Sequence, residues 1–443
     1  MEVIIEEILT YALVITLCLF VVFIYLRRQK SISRKTEEKI KLAKEEGLFE
    51  PISLHPVVDP GSCIKTGACI AACPEKDILG IVNGKATTIN ASRCVGHGAC
   101  FHACPTEAIT LCIGTEKRGV DLPHVNENFE TNIPGIFIAG ELGGMGLIKN
   151  AVEQGRQAVE NIVKKIKEKH GADYDLIIVG AGPAGISASL TAKKHNLNFI
   201  TLEQDSLGGT VFTFPRSKIV MTSPMNLPLH GKVKLYETSK PQLLELWLEV
   251  LKKNGITIRE HQKVDAIIPV NHHFQLKTLD GTTYTSKCVL LAIGRRGTPR
   301  KLNIPGEQSI KVAYRLLEPE IITGKNILVV GGGDSAIESA LLLANQNNVL
   351  LSYRGETFSR IKAKNKIKIE EAIGLGKIDI KFSSTVSAIE EATITLKVEE
   401  NGESLKIKND LVFIFAGGEL PTEFLKKAGI EITSKYGESI LKH

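Results

Sequence analysis

Tyr174-Asp-Leu-Ile-Ile-Val-Gly180-Ala-Gly182-Pro-Ala-Gly185 is the stretch from which most of the chain can be read. An apolar, β-type run enters a turn with glycine at three fixed positions, and Ile186 to Lys194 continues as a helix. A second strand, Asn198 to Leu202, ends in Glu203, 23 residues after Gly180. A lone G-x-G-x-x-G is weak evidence, but strand, turn, helix, strand and closing acid together make a dinucleotide fingerprint. The glycines let the backbone approach a pyrophosphate at a helix N-terminus, and the acid takes a ribose hydroxyl. Gly180, Gly182, Pro183, Ala184, Gly185 and Glu203 are therefore candidate binding residues.

The pattern recurs downstream as Asn326-Ile-Leu-Val-Val-Gly331-Gly-Gly333-Asp-Ser-Ala336, followed by a strand from Val349 to Tyr353. Gly331, Gly333, Asp334, Ser335 and Ala336 form the second candidate turn. No acid closes this strand; Arg354 and Arg360 stand where a 2′-phosphate is read, which favours NADPH over NADH. Lys362, Lys364, Lys366 and Lys368 read as a solvated helix face. Between the two turns, Pro241 to Asn254 reads as a helix with Ser239 as N-cap and Gly255 past its end. Trp247 reads as core, and Asp280-Gly281 as a hairpin turn between Gln275 and Val289.

Upstream, Cys63, Cys69 and Cys73-Pro74 repeat 31 residues later as Cys94, Cys100 and Cys104-Pro105. Six of the nine cysteines lie in this repeat; Cys18, Cys112 and Cys288 are scattered, which argues for a reducing compartment over a disulfide framework. Ahead of it, Ile8 to Leu26 is a nearly unbroken apolar run of 19 residues, about 29 Å as a helix. Glu2, Glu6 and Glu7 precede the run, while Arg27, Arg28, Lys30, Arg34 and Lys35 follow it. That asymmetry predicts one membrane-spanning helix with the rest of the chain on the cytoplasmic side of the inner membrane. Residues 31–50 carry few apolar positions and predict a solvated helical stalk. The net charge of +6 lies partly in this juxtamembrane block, so a nucleic-acid partner is not indicated.

Two resemblances sharpen the reading. The cysteine repeat resembles the ferredoxin run C-x2-C-x2-C-x3-C-P at positions one, three and four of both copies; at position two stand Thr66 and His97. The resemblance implies two iron–sulfur clusters, with the fourth cysteine of each run serving the other cluster. One cluster would take Cys63, Cys69 and Cys104, the other Cys94, Cys100 and Cys73. His97 is either a ligand that raises the potential or a surface histidine beside a three-iron cluster. Thr66 suits soft iron poorly, which implies [3Fe–4S], or [4Fe–4S] with a solvent ligand, at the first site.

Residues 119–443 resemble the thioredoxin-reductase-like pyridine-nucleotide flavoproteins. Thr131-Asn-Ile-Pro-Gly-Ile-Phe-Ile-Ala-Gly140-Glu141, with a helix from Leu147 to Lys169, is similar to their second flavin motif, which implies that Gly140 and Glu141 meet FAD. Leu207-Gly208-Gly209-Thr210 resembles their loop beside the flavin ring, and Ala292 to Arg300 their crossover between nucleotide domains. In that family the Ala-Gly-acid motif follows the second nucleotide domain; here it precedes the first glycine turn, which implies a circular permutation. The family's redox thiols have no counterpart, since 311–320 holds no cysteine and the first glycine turn has Ala184.

The expected fold is α/β: two Rossmann-like nucleotide-binding domains, for FAD and NAD(P), a small α+β two-cluster ferredoxin domain, and one N-terminal transmembrane helix. The expected divisions are an anchor at 1–30, a linker at 31–56, the cluster domain at 57–114, the FAD domain at 115–300 completed by 418–443, and the NAD(P) domain at 301–417. The expected function is a membrane-anchored oxidoreductase passing electrons between NAD(P)H, FAD, iron–sulfur clusters ([4Fe–4S], [3Fe–4S] or both) and an unidentified electron-transfer partner. No protein acid, base or nucleophile is implied, because the cofactors carry the chemistry. A homodimer is compatible with the family. Two rivals stay open: a disulfide or persulfide reductase that uses Cys288 or Cys112, and a non-catalytic redox sensor.

Overall fold

The computed structural model describes residues 2–45, 51, 54–75, 77–94, 96, 98–116, 119–144, 146–166, 171–215, 219–221, 224–235, 237–295, 298–358, 361–398, 402–419 and 421–441. The chain divides into two compact units, Met1–Val120 with Lys435–His443, and Asp121–Ser434.

In the first unit the apolar run is part of one continuous helix, α1 (Glu2–Glu45). It is long and apolar enough to cross a membrane, and Leu13, Phe20 and Phe23 are exposed along it. Its charged half is not the freely solvated stalk that its composition predicts. Gln29, Ser33, Thr36, Ile40 and Ala43 recur at four- and three-residue steps on one face and are partly or fully buried. A β-carbon added at Gly80 would meet Thr36 Cγ2 at 2.6 Å, and Ser33 Oγ accepts from the Asn83 amide at 2.9 Å. Small and neutral side chains thus seat the helix on the hairpin of Leu79–Val82 and Lys85–Thr88, a face that a count of apolar residues passes over.

The cluster region is built twice. Two one-turn helices, α2 (Ala68–Ala72) and α3 (Ala99–His102), each follow a left-handed glycine, Gly67 at φ 71° and Gly98 at φ 72°. Two residues earlier the backbone is left-handed again, at Lys65 (φ 63°) and Gly96 (φ 73°), so the sequence repeat is also a conformational one. Strand His55–Val58 pairs antiparallel with Ile109–Ile113. The other edge of Ile109–Ile113 is taken by Glu438–Leu441 from the far end of the sequence. The expected completion of the flavin domain by 418–443 is therefore corrected at its end: these last residues hydrogen-bond into the cluster unit, while Leu425, Ala428 and Ile430 pack in the core of the second unit.

The second unit holds both nucleotide folds. Its larger sheet runs Ile258–Arg259, Phe199–Leu202, Tyr174–Val179, Thr283–Leu291, His273–Thr278, Val264–Val270, and Ile136–Ile138 lies parallel to the end of Thr283–Leu291. Against it pack α4 (Ile148–Lys165) and α5 (Pro183–Lys194). Next, α6 (Lys240–Lys253) starts at the expected N-cap, Ser239, which the structure extends to a capping box: Ser239 Oγ accepts from the Gln242 amide at 3.4 Å, and Gln242 Oε1 from the Ser239 amide at 3.1 Å. Trp247 on this helix is fully buried, as its core assignment requires.

The smaller sheet is parallel, in the order Val312–Ala313, Leu411–Ile414, Asn326–Val330, Asn348–Ser352, Ile378–Lys381. It carries α7 (Asp334–Leu343) and α8 (Ala363–Gly374), and α9 (Thr422–Lys427) follows it. The crossover to this sheet and the return from it lie side by side, since Thr298–Pro299 pairs antiparallel with Gly418–Glu419.

Candidate functional site

Each glycine of the first turn does a different job. Gly180 has φ 104°, and a β-carbon there would sit 2.6 Å from the Ala292 carbonyl oxygen. At Gly185 a β-carbon would fall 1.8 Å from the Gly180 oxygen, so that position closes α5 onto the strand. Gly182 differs from both: its backbone is extended (φ −75°, ψ −173°), and an added β-carbon meets nothing within 4 Å. It lies at the N-cap of α5 with Pro183 in the first turn, where unpaired amides and the helix dipole favour an anion. The chain thus keeps open the one glycine that faces a pyrophosphate in such a fold.

Glu203 ends its strand almost fully buried. Its two carboxyl oxygens accept from the Ala181 amide at 2.6 Å and the Asp205 amide at 3.0 Å. Burial raises its pKa, against the pull of those two amides. The acid is tied to the backbone of the glycine turn and presented beside it.

The Gly140 motif is brought to the same turn. A β-carbon at Gly140 (φ 86°) would come within 3.1 Å of Ala184 Cβ, and the Gly140 amide donates to Gln154 Oε1 at 2.8 Å. A β-carbon at Gly155 would lie 2.2 Å from the Ala184 oxygen, so α4 packs directly on the turn. The Ala184 side chain therefore packs under the turn, between Gly140 and Gly155. Gln154 and Gly155 escape a reading of the sequence alone; a glycine in mid-helix is the available signal. Glu141 follows in a short 3-10 turn and is half-buried. Gly208 donates to the Ala181 carbonyl at 2.9 Å, and a β-carbon at Gly209 would be 3.3 Å from Gly182 Cα, which puts that loop on the same turn. Thr210 is exposed at its end.

The second turn repeats this logic. Gly331 (φ 136°) is fixed by the Phe415 carbonyl oxygen, which a β-carbon at that position would approach to 2.5 Å, whereas Gly333 at the N-cap of α7 faces open space. Ser335 is exposed; the Ala336 side chain is fully buried and packs against Gly331. Asp334 braces the fold: its Oδ1 accepts from the Lys362 amide at 2.9 Å and from Asn365 Nδ2 at 2.7 Å, joining α7 to α8. Arg354 is exposed just beyond the strand, and Arg360 lies outside the described residues. Arg315 pairs with Asp205 at 2.9 Å, linking the two nucleotide folds, a contact with no sequence signature.

Cys63, Cys69, Cys104 and Thr66 line one cavity, shared with Ala86 and Thr106. Burial raises the Cys69 thiol, and the charges of Cys104 and Cys63 raise it further. Burial pushes Cys94 up to about 11, with Cys73 adding to it, and Cys100 up to about 12, with Cys94 and Cys73 ahead of Cys69. Burial acts on Cys104 too, but the amides of Thr106 and Ala108 outweigh it and lower the thiol. The Ala86 amide donates to Cys63 Sγ at 3.4 Å and the Ala108 amide to Cys104 Sγ at 3.3 Å, bonds of the kind that tune a cluster's potential. Among the described residues no three such side chains converge on a single metal ion. His97 lies outside the described residues. Cys288 sits elsewhere, buried in strand Thr283–Leu291 with its thiol pushed up to about 11. It is four residues, about 13 Å along a strand, from the Ala292 that packs on Gly180.

Comparison with known proteins agrees with this geometry. Residues 177–441 match the model of the pyridine nucleotide-disulphide oxidoreductases, and residues 55–105 that of the 4Fe-4S dicluster domain. The bacilliredoxin reductase Bdr of Bacillus subtilis is 28% identical over 59% of this chain and 82% of its own length. A ferredoxin–NADP reductase of Ignicoccus hospitalis is 26% identical over 59% and 83%. The solved bacillithiol disulfide reductase Bdr of Bacillus cereus, at 27% identity, superposes with a TM-score of 0.52 over 61% of this chain and 85% of that one. With the family model spanning more than half of its residues, the chain is a pyridine-nucleotide-dependent enzyme that carries a ferredoxin-type domain, and it belongs to the pyridine nucleotide-disulphide oxidoreductase family.

Proposed function

We propose that the chain is a membrane-anchored NAD(P)H oxidoreductase that exchanges electrons between a flavin and an iron–sulfur module, and so serves a one-electron partner. The observation that carries this reading is a pair of contrasts. Both glycine turns keep their open pyrophosphate positions, Gly182 and Gly333, yet no thiol stands at either turn, while six cysteines form a repeat elsewhere, three of them lining one cavity. A disulfide reductase on this fold would need a reactive thiol near the flavin, and Cys288 is buried with a raised pKa, the opposite of an activated thiolate.

FAD, when bound, supplies the exchange between a hydride pair and the single electrons that clusters accept. Gly182, Gly209 and Gly140 give it close backbone approach, Glu203 a ribose contact, and Glu141 a ribityl contact. Gly333 and the exposed Arg354 serve the nicotinamide nucleotide, with NADPH preferred because Arg354 replaces the acid that reads a free 2′-hydroxyl. Cys63, Cys69 and Cys104 hold one cluster and Cys94, Cys100 and Cys73 the other. Thr66 leaves one corner of the first without a thiolate, which favours a three-iron cluster there. The parallel pairing of Ile136–Ile138 with Val289–Leu291, next to the first glycine turn, supports circular permutation of the flavin motif. The apolar half of α1 anchors the chain in the inner membrane with its basic flank on the cytoplasmic side.

Composition of the full-length protein purified without oxygen is the test. FAD, iron and acid-labile sulfide together support the reading; FAD without iron or sulfide would refute it.

A further inference from the structure

The membrane helix and the first cluster site meet at one residue. Lys65 belongs to the loop between Cys63 and Cys69 and takes a left-handed conformation, φ 63°, where the second copy has Gly96. Its amine bonds Gln29 Oε1 on α1 and lies 5.7 Å from the ring centre of Tyr25. Tyr25 is in the last turn of the apolar run, and Gln29 is three residues past Leu26, about 4.5 Å along the axis. That level is the membrane–water interface, where tyrosine rings and lysine amines settle. Beside Lys65, Ile64 projects an apolar side chain that is 65% exposed, and it also lines the cavity of Cys63, Cys69 and Cys104. From Ser62 to Ala68 the sole charged side chain is Lys65, and it is turned onto α1. The charged groups that bond the loop from outside, Lys85 on the Cys63 carbonyl at 2.7 Å and Asp59 on Ser62, engage its first two residues and leave Ile64 the exposed apolar side chain. Below this level the Ser33 and Thr36 contacts with the hairpin fix the helix to the same unit.

We infer that the loop Ser62–Ala68 is a second membrane-contacting element: Ile64 enters the lipid interface, Lys65 pins the loop to the interfacial turn of α1, and the Cys63/Cys69/Cys104 site is the one presented to the bilayer. The inference rests on the proposed anchor and cluster assignments. Its counterpart is the bilayer surface itself, so a redox partner meeting this site is one held in the membrane.

The test uses full-length, cluster-loaded protein in lipid nanodiscs, with and without lipids that carry a gadolinium chelate on the headgroup. Paramagnetic relaxation of each cluster's resonance is measured, and the first site is identified by the signal that Thr66→Cys alters. The expected result is faster relaxation at the first site than at the second, with loss of that difference in Lys65→Gly and in Ile64→Asp. Lys65→Gly places at this left-handed position the residue that the second copy has there, which relieves backbone strain. Equal relaxation of both sites in membrane-bound protein, or faster relaxation at the second, would overturn the inference alone. Absence of cluster resonances, or failure to enter nanodiscs, would overturn it together with the assignment on which it rests.

Discussion

Replacing Gly182 with alanine separates folding from cofactor binding at one atom. The residue has φ −75° and ψ −173°, a conformation open to any amino acid, and its new methyl group would meet no protein atom within 4 Å. Two small terms then decide the stability of the cofactor-free protein. Loss of glycine freedom in the unfolded chain stabilises by about 0.4–1 kcal/mol. Alanine at an N-cap is worse than glycine by up to about 1 kcal/mol. The terms nearly cancel, so the melting temperature should move by less than about 4 °C. Flavin binding should suffer far more, because the methyl group fills the space through which the backbone approaches the pyrophosphate. A loss of at least about 1.4 kcal/mol, tenfold in Kd, is expected. Gly185→Ala provides the contrast: its methyl would lie 1.8 Å from the Gly180 oxygen, and the variant should lose stability by about 3 kcal/mol or more. The assays are thermal unfolding of the apo-proteins and FAD titration by flavin fluorescence. Wild-type FAD affinity in Gly182→Ala would refute the assignment of this turn to a pyrophosphate.

Thr66→Cys supplies a thiolate to the first cluster site. It should abolish an oxidised-state three-iron resonance and lower that cluster's potential, while the fold tolerates the change because Thr66 is exposed and its Oγ1 makes one long bond, 3.4 Å, to the Ala68 amide. Arg354→Ala should raise KM for NADPH about tenfold or more and leave NADH unaffected, since a hydrogen bond to a charged group contributes about 1.5–3 kcal/mol; equal effects on both nucleotides would remove Arg354 from 2′-phosphate recognition. Glu203 should impose a pH trend. Its folded pKa is raised by burial, so the stabilisation is fully present below the unfolded value of about 4.3 and is lost as pH rises through the folded one. Denaturant unfolding of Glu203→Gln beside wild type should show the variant gaining relative stability as pH rises through that window; a pH-independent difference would contradict it.

Much of this fold was legible because strong local signals coincided. Both nucleotide turns declared themselves through strand, glycine and helix in succession, and Gly180 and Gly331 prove to be the positions where backbone crowding demands glycine. The capping box at Ser239 and the duplicated left-handed turns of the cysteine repeat were equally local. Legibility failed where partners are distant in sequence. No pattern within 435–441 says that its strand pairs with Ile109–Ile113, and nothing near Arg315 points to Asp205, 110 residues away. The narrow seat of α1 is hidden for another reason: Ser33 and Thr36 are small and polar, so they pack closely without registering as apolar. The side chains of Ala184, Ala336 and Asp334, inside the binding motifs, also pack and brace, because a glycine turn must be held as well as open.

The central claim of the proposed function is that nicotinamide nucleotide and iron–sulfur clusters share electrons within one chain. Anaerobic titration of the full-length protein with NADPH, read by flavin absorbance and low-temperature paramagnetic resonance on the same samples, decides the point. Flavin bleaching accompanied by a change in the cluster resonances is the expected result. Flavin that bleaches while clusters reducible by dithionite stay unchanged would contradict it.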